Sequence, residues 1–418
     1  MQTTPKSMRL QIGLFGRTNV GKSSFLNMIA GQDVAVTSPV PGTTTDVVEK
    51  AMELLPLGPV MFLDTAGVDD QSELSEARLR KTAAAMERAE VCVLITEAGV
   101  WGEFEERITS EASTHNLPLI VVINKIDKLA VSQDFLEIVK SKTGKTVTCS
   151  STDLSDRNAY ILDFKQKLME VVPEEMIRQP SILGDLLSPG EIAILVVPID
   201  LQAPKGRLIL PQVQAIRDAL DNDAATLVVK EREYVSVLQT LKNPPGLVVC
   251  DSQIVLKMVA DTPQAVPCTT FSILFARYKG DLCEEVRGAV TIDSLSTGDK
   301  VLIAEACTHH AAEDDIGRVK IPRWLRQYCG EELQIDVCSG RDFPDNLSQY
   351  KLVIHCGACM LTRREMLVRI QKAKQAGVAI TNYGVAISFL QGVLQRVLSP
   401  FPAALETFQS EKISIENR

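Results

Sequence analysis

The chain has 418 residues, 45% of them hydrophobic and 23% charged, with a formal net charge of −9. That length exceeds one ordinary core and points to two or three domains, and the composition is that of a folded chain. The acidic balance argues against a nucleic-acid partner, and no apolar run reaches the roughly 18 residues that a membrane span needs.

The first residues, Met1 to Leu10, lack the apolar stretch of a signal peptide, so a cytoplasmic protein is expected, with its ten cysteines reduced. An apolar strand over Leu10–Phe15 then runs into Gly16-Arg17-Thr18-Asn19-Val20-Gly21-Lys22-Ser23, and a helical pattern follows from Ser24 to Ala30. Strand, Gly-x-x-x-x-Gly-Lys-Ser and helix in that order form a phosphate-binding loop. Gly16 and Gly21 permit the tight turn that aims successive N–H groups at phosphate, and Asn19, Val20 and Ser24 belong to the same cradle. Lys22 sets a cation at the β- and γ-phosphates, and the Ser23 hydroxyl is within reach of Mg²⁺.

The strand Val60–Leu63 ends at Asp64-Thr65-Ala66-Gly67, where Asp64 is expected to hold Mg²⁺ through water and the Gly67 N–H to meet the γ-phosphate. Leu119–Ile123 ends at Asn124-Lys125-Ile126-Asp127. A carboxylate at Asp127 accepts both the guanine N1–H and the exocyclic amine, so the nucleotide is expected to be GTP. Cys149-Ser150-Ser151, at another strand end, is expected to offer backbone N–H to guanine O6.

Val68, not glutamine, follows Gly67, so the attacking water needs another means of being ordered. Here the chain resembles the TrmE/Era group of GTPases, through Asn19 and through Pro41-Gly42-Thr43-Thr44-Thr45-Asp46 in the first switch. The resemblance implies K⁺ held by Asn19 beside Thr43, supplying the charge of an arginine finger, and Thr44 on Mg²⁺. The catalytic set is then Lys22, Thr44, Asp64 and Gly67. The plainer readings are that Asn19 is a loop residue and the threonines switch-loop polar groups; Asp69 and Asp70 read as a solvated acidic pair.

After a helix that ends near Val172, the mixed segment Pro173–Pro189 reads as a connector. Strand-like Ile192–Val197, Thr226–Val229 and Leu247–Val249 then alternate with helical Gln212–Leu220, Glu233–Leu241 and Gln253–Val259, the pattern of a small parallel α/β domain. It shows no catalytic cluster and is expected to be an assembly surface. Asp200 and Lys205 bracket a loop and read as solvated charges.

Beyond Thr269, strands are expected at Val301–Ala306, Leu333–Val337, Lys351–Ile354 and Val378–Thr381, with helices at Ile321–Tyr328 and Arg363–Ala376. The first of these strands delivers Cys307-Thr308-His309 and the third His355-Cys356-Gly357-Ala358-Cys359, both at the carboxyl edge of a parallel sheet. Three thiolates on one face select an iron–sulfur cluster or zinc, with one position left for histidine, water or an external ligand; reduced structural thiols are the plain alternative. His310 reads as a residue that could support a ligand from behind, and Cys92, Cys149, Cys250, Cys268, Cys283, Cys329 and Cys338 read as packing residues.

Cys-x-His, then residues 310–354, then His-Cys-x-x-Cys, behind a TrmE/Era-like GTPase, resembles the HydF family of [FeFe]-hydrogenase maturation GTPases over nearly the whole chain. The resemblance implies a [4Fe–4S] cluster on Cys307, Cys356 and Cys359, with His309 or His355 as candidate fourth ligand. It also implies a transient di-iron cargo, radical-SAM maturases and apo-[FeFe]-hydrogenase as partners, and a homodimer or tetramer. The fold expected is α/β in three domains: a P-loop GTPase over 1–174, a dimerisation domain over 175–264 and a cluster domain over 265–398, before a flexible tail at 399–418. The competing reading is a GTPase of tRNA modification or ribosome assembly with a structural zinc domain.

Overall fold

The computed structural model describes residues 4–30, 48–65, 75–153, 155–172, 180–198, 208–306, 315–330, 332–340 and 343–416. They form two compact units, Met1–Gln179 and Pro180–Arg418.

The first unit is built on six strands: β1 (Leu10–Phe15), β2 (Val48–Leu54), β3 (Gly58–Asp64), β4 (Val91–Glu97), β5 (Leu119–Asn124) and β6 (Thr146–Thr148). Their order is β2-β3-β1-β4-β5-β6, and only β2 runs antiparallel to its neighbour. β1, β4 and β5 read as near-continuous apolar runs because helices cover both faces of the sheet. On one face Phe25 of helix Lys22–Ala30 meets Phe164 of helix Arg157–Val171 edge-on at 5.1 Å. On the other, Met86, Ile108 and Val139 pack over Leu94 and Val121. The strands that end at the expected nucleotide motifs, interior β1, β3 and β5 and the edge strand β6, run parallel, so those motifs emerge along one sheet edge.

The second unit carries two parallel four-stranded sheets. The first, ordered β10-β9-β7-β8, comprises β7 (Ile192–Val196), β8 (Ala225–Val229), β9 (Leu247–Cys250) and β10 (Cys268–Thr270); the second, ordered β12-β11-β13-β14, comprises β11 (Lys300–Glu305), β12 (Gln334–Ser339), β13 (Leu352–His355) and β14 (Ala379–Asn382). One apolar core runs through both, from Ile194 and Val248 through Leu274 and Val286 to Ile303 and Ile354. Two sequence expectations change here. The middle sheet continues past residue 264, because β10 is a three-residue strand too short to show a pattern. The later part of the expected connector is folded: Asp218 accepts from the N–H groups of Leu183 and Gly184 at 2.8 Å each, and Arg277 grips Asp185.

The expected flexible tail is also corrected. Residues Pro402–Glu416 form a helix whose Ala404, Leu405 and Phe408 join the core, and Lys412 pairs with Asp293 at 2.7 Å. Pro402 opens that helix, where its missing N–H costs nothing, so proline marks a start rather than a break.

Helix Leu282–Val290 lies so close to β14 that a Cβ on Gly288 would run into the Ile380 backbone. On the same helix Glu285 is buried, with no hydrogen-bond partner among the described residues for either carboxylate oxygen, and burial together with Asp281 pushes its pKa up to about 8. Between the ordinary carboxylate range and about 8 the native state therefore keeps a proton that the unfolded chain has released, and stability falls as pH rises. Glu285→Gln should remove that slope, worth up to about 1.4 kcal/mol per pH unit. Urea midpoints at pH 5 and pH 8 read the effect; an equal change at both would show that the carboxyl is already ionised.

Candidate functional site

The phosphate loop joins β1 to helix Lys22–Ala30. Gly21 has φ +96° and faces Asn124 so closely that a Cβ would collide with its amide, so glycine is required twice over. Asn19 adopts φ +62°, a left-handed conformation that asparagine tolerates, and is exposed at the loop. The Lys22 ammonium folds back over the loop to donate to Gly16 O (2.8 Å) and Arg17 O (2.9 Å). Ser23 Oγ stands 3.5 Å from Asp64 Oδ2 at the end of β3, and Ser24 is exposed one residue on. Burial raises the Asp64 pKa, opposed by Lys22, Lys50 and the Ser23 hydrogen bond. A hydroxyl and a carboxylate are hard oxygen donors, and they fit Mg²⁺.

The β5 end is tied to this loop from behind. Asn124 Nδ2 donates to Val20 O (3.0 Å), and its Oδ1 accepts from the Ser151 N–H (3.0 Å) and Oγ (2.8 Å). Asn124 is thus a clamp between two loops. Lys125, at φ +60°, donates to Asn19 O (2.6 Å) and pairs with Glu97 at 2.5 Å. Ser150 Oγ donates to Asp127 Oδ1 at 2.6 Å, which orients the carboxylate expected to read the base.

A brace that the motifs do not contain completes the loop. Arg17 donates through Nε and Nη2 to both oxygens of the fully buried Glu105, at 2.8 and 2.7 Å. No local pattern marks Glu105; the pair joins residues 88 apart in sequence. Thr43, Thr44, Gly67, Val68, Asp69 and Asp70 lie outside the described residues, as do Asp200 and Lys205.

In the second unit β11 and β13 are adjacent and parallel, with Ala304 opposite His355. The Cys356 N–H donates to Ala304 O (2.9 Å), and the Ala306 N–H donates to Cys356 Sγ (3.0 Å). Ala306 immediately precedes Cys307, which lies outside the described residues together with His309 and His310. Beyond Cys356 the chain turns through Ala358 at φ +51°, passes Cys359, and enters helix Arg363–Gln375, capped by Thr362 and Glu365. Cys356 and Cys359 are half-buried and in no disulfide. Among the described residues no group of three histidine, cysteine or acidic side chains is placed to hold a metal ion. Two soft thiols in one turn, one of them accepting a backbone N–H, suit an iron–sulfur cluster or zinc.

His355 departs from its expected role as a candidate ligand. It is fully buried; Nε2 stands 2.8 Å from Arg369 Nη1 and Nδ1 2.8 Å from Cys356 O. Arginine can only donate, so Nε2 accepts and the proton sits on Nδ1, which donates to the carbonyl of the neighbouring cysteine. Burial, then the Arg369 charge, push its pKa down to about 3. With both nitrogens engaged, His355 holds the loop and offers no lone pair to a metal.

A second inward group is Lys279, at the end of helix Phe271–Lys279. Its ammonium donates to Ala358 O (3.0 Å), Cys359 O (3.2 Å) and Leu361 O (2.7 Å). Burial pushes its pKa down to about 8, against the opposing pull of Cys359, Glu365 and Cys356. The remaining described cysteines behave as packing residues: Cys92, Cys149, Cys250 and Cys268 are buried, and burial pushes the thiols of Cys149 and Cys268 up to about 12 and about 11.

Sheet order, phosphate loop and base-side clamp define a P-loop GTPase followed by parallel-sheet α/β regions. Three family models match: the 50S ribosome-binding GTPase over residues 11–125, the hydrogen maturase F dimerization domain over 182–280 and the hydrogen maturase F tetramerization domain over 283–400. The chain belongs to the hydrogen maturase F (HydF) family.

Among curated relatives, GTPase Der of Helicobacter hepaticus is 36% identical over 199 residues, 45% of this chain and 40% of that protein. The tRNA modification GTPase MnmE of Nitrosomonas europaea is 34% identical over 143 residues, 34% of this chain and 31% of that protein. The chain thus spans less than half the length of these relatives. Among solved structures, Era of Aquifex aeolicus bound to GDP·AlF4⁻ is 19% identical, covering 53% of this chain and 92% of that one at a TM-score of 0.33. No helix among the described residues is long and apolar enough to cross a membrane.

Proposed function

We propose that this protein is a cytoplasmic GTP-hydrolysing scaffold that binds a [4Fe–4S] cluster, carries a di-iron precursor and delivers it to apo-[FeFe]-hydrogenase. The observation that carries the reading is the meeting of β11 and β13, where the residue before Cys307 donates to Cys356 Sγ beside a second thiol in the same turn. Cys307, Cys356 and Cys359 would hold the cluster, with His309 as the remaining histidine candidate. Three protein thiolates leave one iron position for an outside ligand, which suits a cargo site better than a closed electron-transfer centre. The dimerization and tetramerization matches support an oligomer, and radical-SAM maturases are the proposed source of cargo. Anaerobic reconstitution with iron and sulfide, read by EPR and visible absorption, tests the metal; a colourless protein that keeps only zinc would favour the tRNA or ribosome reading.

In the other unit, Lys22 would neutralise the β- and γ-phosphates, Ser23, Thr44 and Asp64 would hold Mg²⁺, Gly67 would meet the γ-phosphate and Asp127 would select guanine. The exposed Asn19 at the loop supports a K⁺ site there, with Thr43 beside it. A site lacking the glutamine after Gly67 needs some added positive charge. Turnover in K⁺ should exceed that in Na⁺ at equal ionic strength by about tenfold, a barrier difference of about 1.4 kcal/mol. Equal rates in both salts would remove the role given to Asn19.

A further inference from the structure

We infer that Lys279 is a positioning residue for the Cys356–Cys359 turn, holding the backbone of that turn in its ligand-ready shape before any metal arrives. The inference rests on the reading of these thiols as metal ligands only for its second test below. A lysine in the last turn of a helix ordinarily reaches back to its own helix's terminal carbonyls or stays in water. Lys279 does neither. The residue is 2% exposed, and its ammonium donates to three carbonyls of one short loop, those of Ala358, Cys359 and Leu361.

The joint is reciprocal. Arg363, the first residue of the helix after the turn, donates to Tyr278 O at 2.6 Å and so satisfies the end of the helix that presents Lys279. Each segment thereby supplies a cation to the other's carbonyls. A buried ammonium is costly unless fully partnered, and an apolar side chain would fill this position without that penalty. What the cation does that an apolar residue cannot is collect three carbonyls around one point. Those carbonyls bracket Cys359 and the left-handed Ala358, the two residues whose backbone sets where the second thiol points. Lys279 falls in the dimerization match and the turn in the tetramerization match, so the contact also couples the two regions.

Lys279→Met keeps the length and apolar stem and removes all three donors. In the full chain without metal, mass spectrometry after timed iodoacetamide labelling should show Cys359 modified at least fivefold faster than in the unaltered chain, with Cys283 as an unchanged internal reference. After reconstitution with iron and sulfide, a chelator should strip the cluster from the variant at least tenfold faster. Lys279→Arg, which restores a cation with donors, should recover part of both. A folded Lys279→Met protein, judged by circular dichroism, with unaltered labelling and unaltered cluster loss would overturn the inference. Should that variant not fold, Lys279→Gln, which removes the charge and shortens the reach, is measured in the same two ways: faster labelling of Cys359 and faster cluster loss support the staple, and rates equal to those of the unaltered chain overturn it. If the unaltered chain takes up no cluster at all, the proposed function fails, and the labelling result still decides the role of Lys279.

Discussion

Cys356→Ser should empty the carboxyl-terminal sheet edge of iron while GTP hydrolysis continues at a near-normal basal rate. The exchange replaces a soft thiolate by a hard hydroxyl that hardly ionises at neutral pH, and it removes the sulfur that accepts the Ala306 N–H. Serine is smaller than cysteine, so the half-buried position tolerates it and the turn keeps its Lys279 bonds. Lys22, Asp64 and Asp127 belong to the other compact unit, Met1–Gln179. Iron content after reconstitution should fall below about a tenth of the unaltered chain's, equivalent to more than about 1.4 kcal/mol of lost affinity. Iron analysis and phosphate release on the same preparation read the two sites separately. Full iron occupancy in Cys356→Ser would mean that the metal sits elsewhere.

The opposite separation is expected of Lys22→Ala. That change removes the cation from the phosphate loop and also the two bonds, to Gly16 O and Arg17 O, with which the side chain closes the loop on itself. Alanine is a good helix former, so helix Lys22–Ala30 itself should persist. Losing a preorganised charge at the transferring phosphoryl group should slow hydrolysis by about a thousandfold, on the order of 4 kcal/mol in the barrier. The iron–sulfur EPR signal of the same protein should be unchanged. A loss of that signal together with hydrolysis would show that the cluster depends on nucleotide turnover.

Much of this architecture was legible because its motifs sit at the ends of apolar strands. β1, β3 and β5 are buried interior strands whose hydrophobic runs stop where the polar loop begins, so Gly16–Ser23, Asp64 and Asn124–Asp127 mark their own positions. The same holds for β11 and β13, which place Ala306 and Cys356 side by side. What escaped the sequence depends on distant partners. His355 has the spacing of a ligand, and only Arg369 and complete burial turn it inward. Lys279 reads as a charged helix end, and its acceptors lie 79 to 82 residues further on. The helix Pro402–Glu416 was hidden by Pro400 and Pro402, although Ala404, Leu405 and Phe408 recur at helical spacing once Pro402 is taken as the first turn.

The reading that joins the two sites is delivery of a metal cargo, and hydrogen evolution measures it most directly. The unaltered protein, loaded by the proposed radical-SAM maturases and mixed anaerobically with apo-[FeFe]-hydrogenase, should restore hydrogen evolution, and Cys356→Ser loaded in the same way should restore almost none. Full activation by Cys356→Ser would contradict the assignment of the carboxyl-terminal thiols as the cargo site.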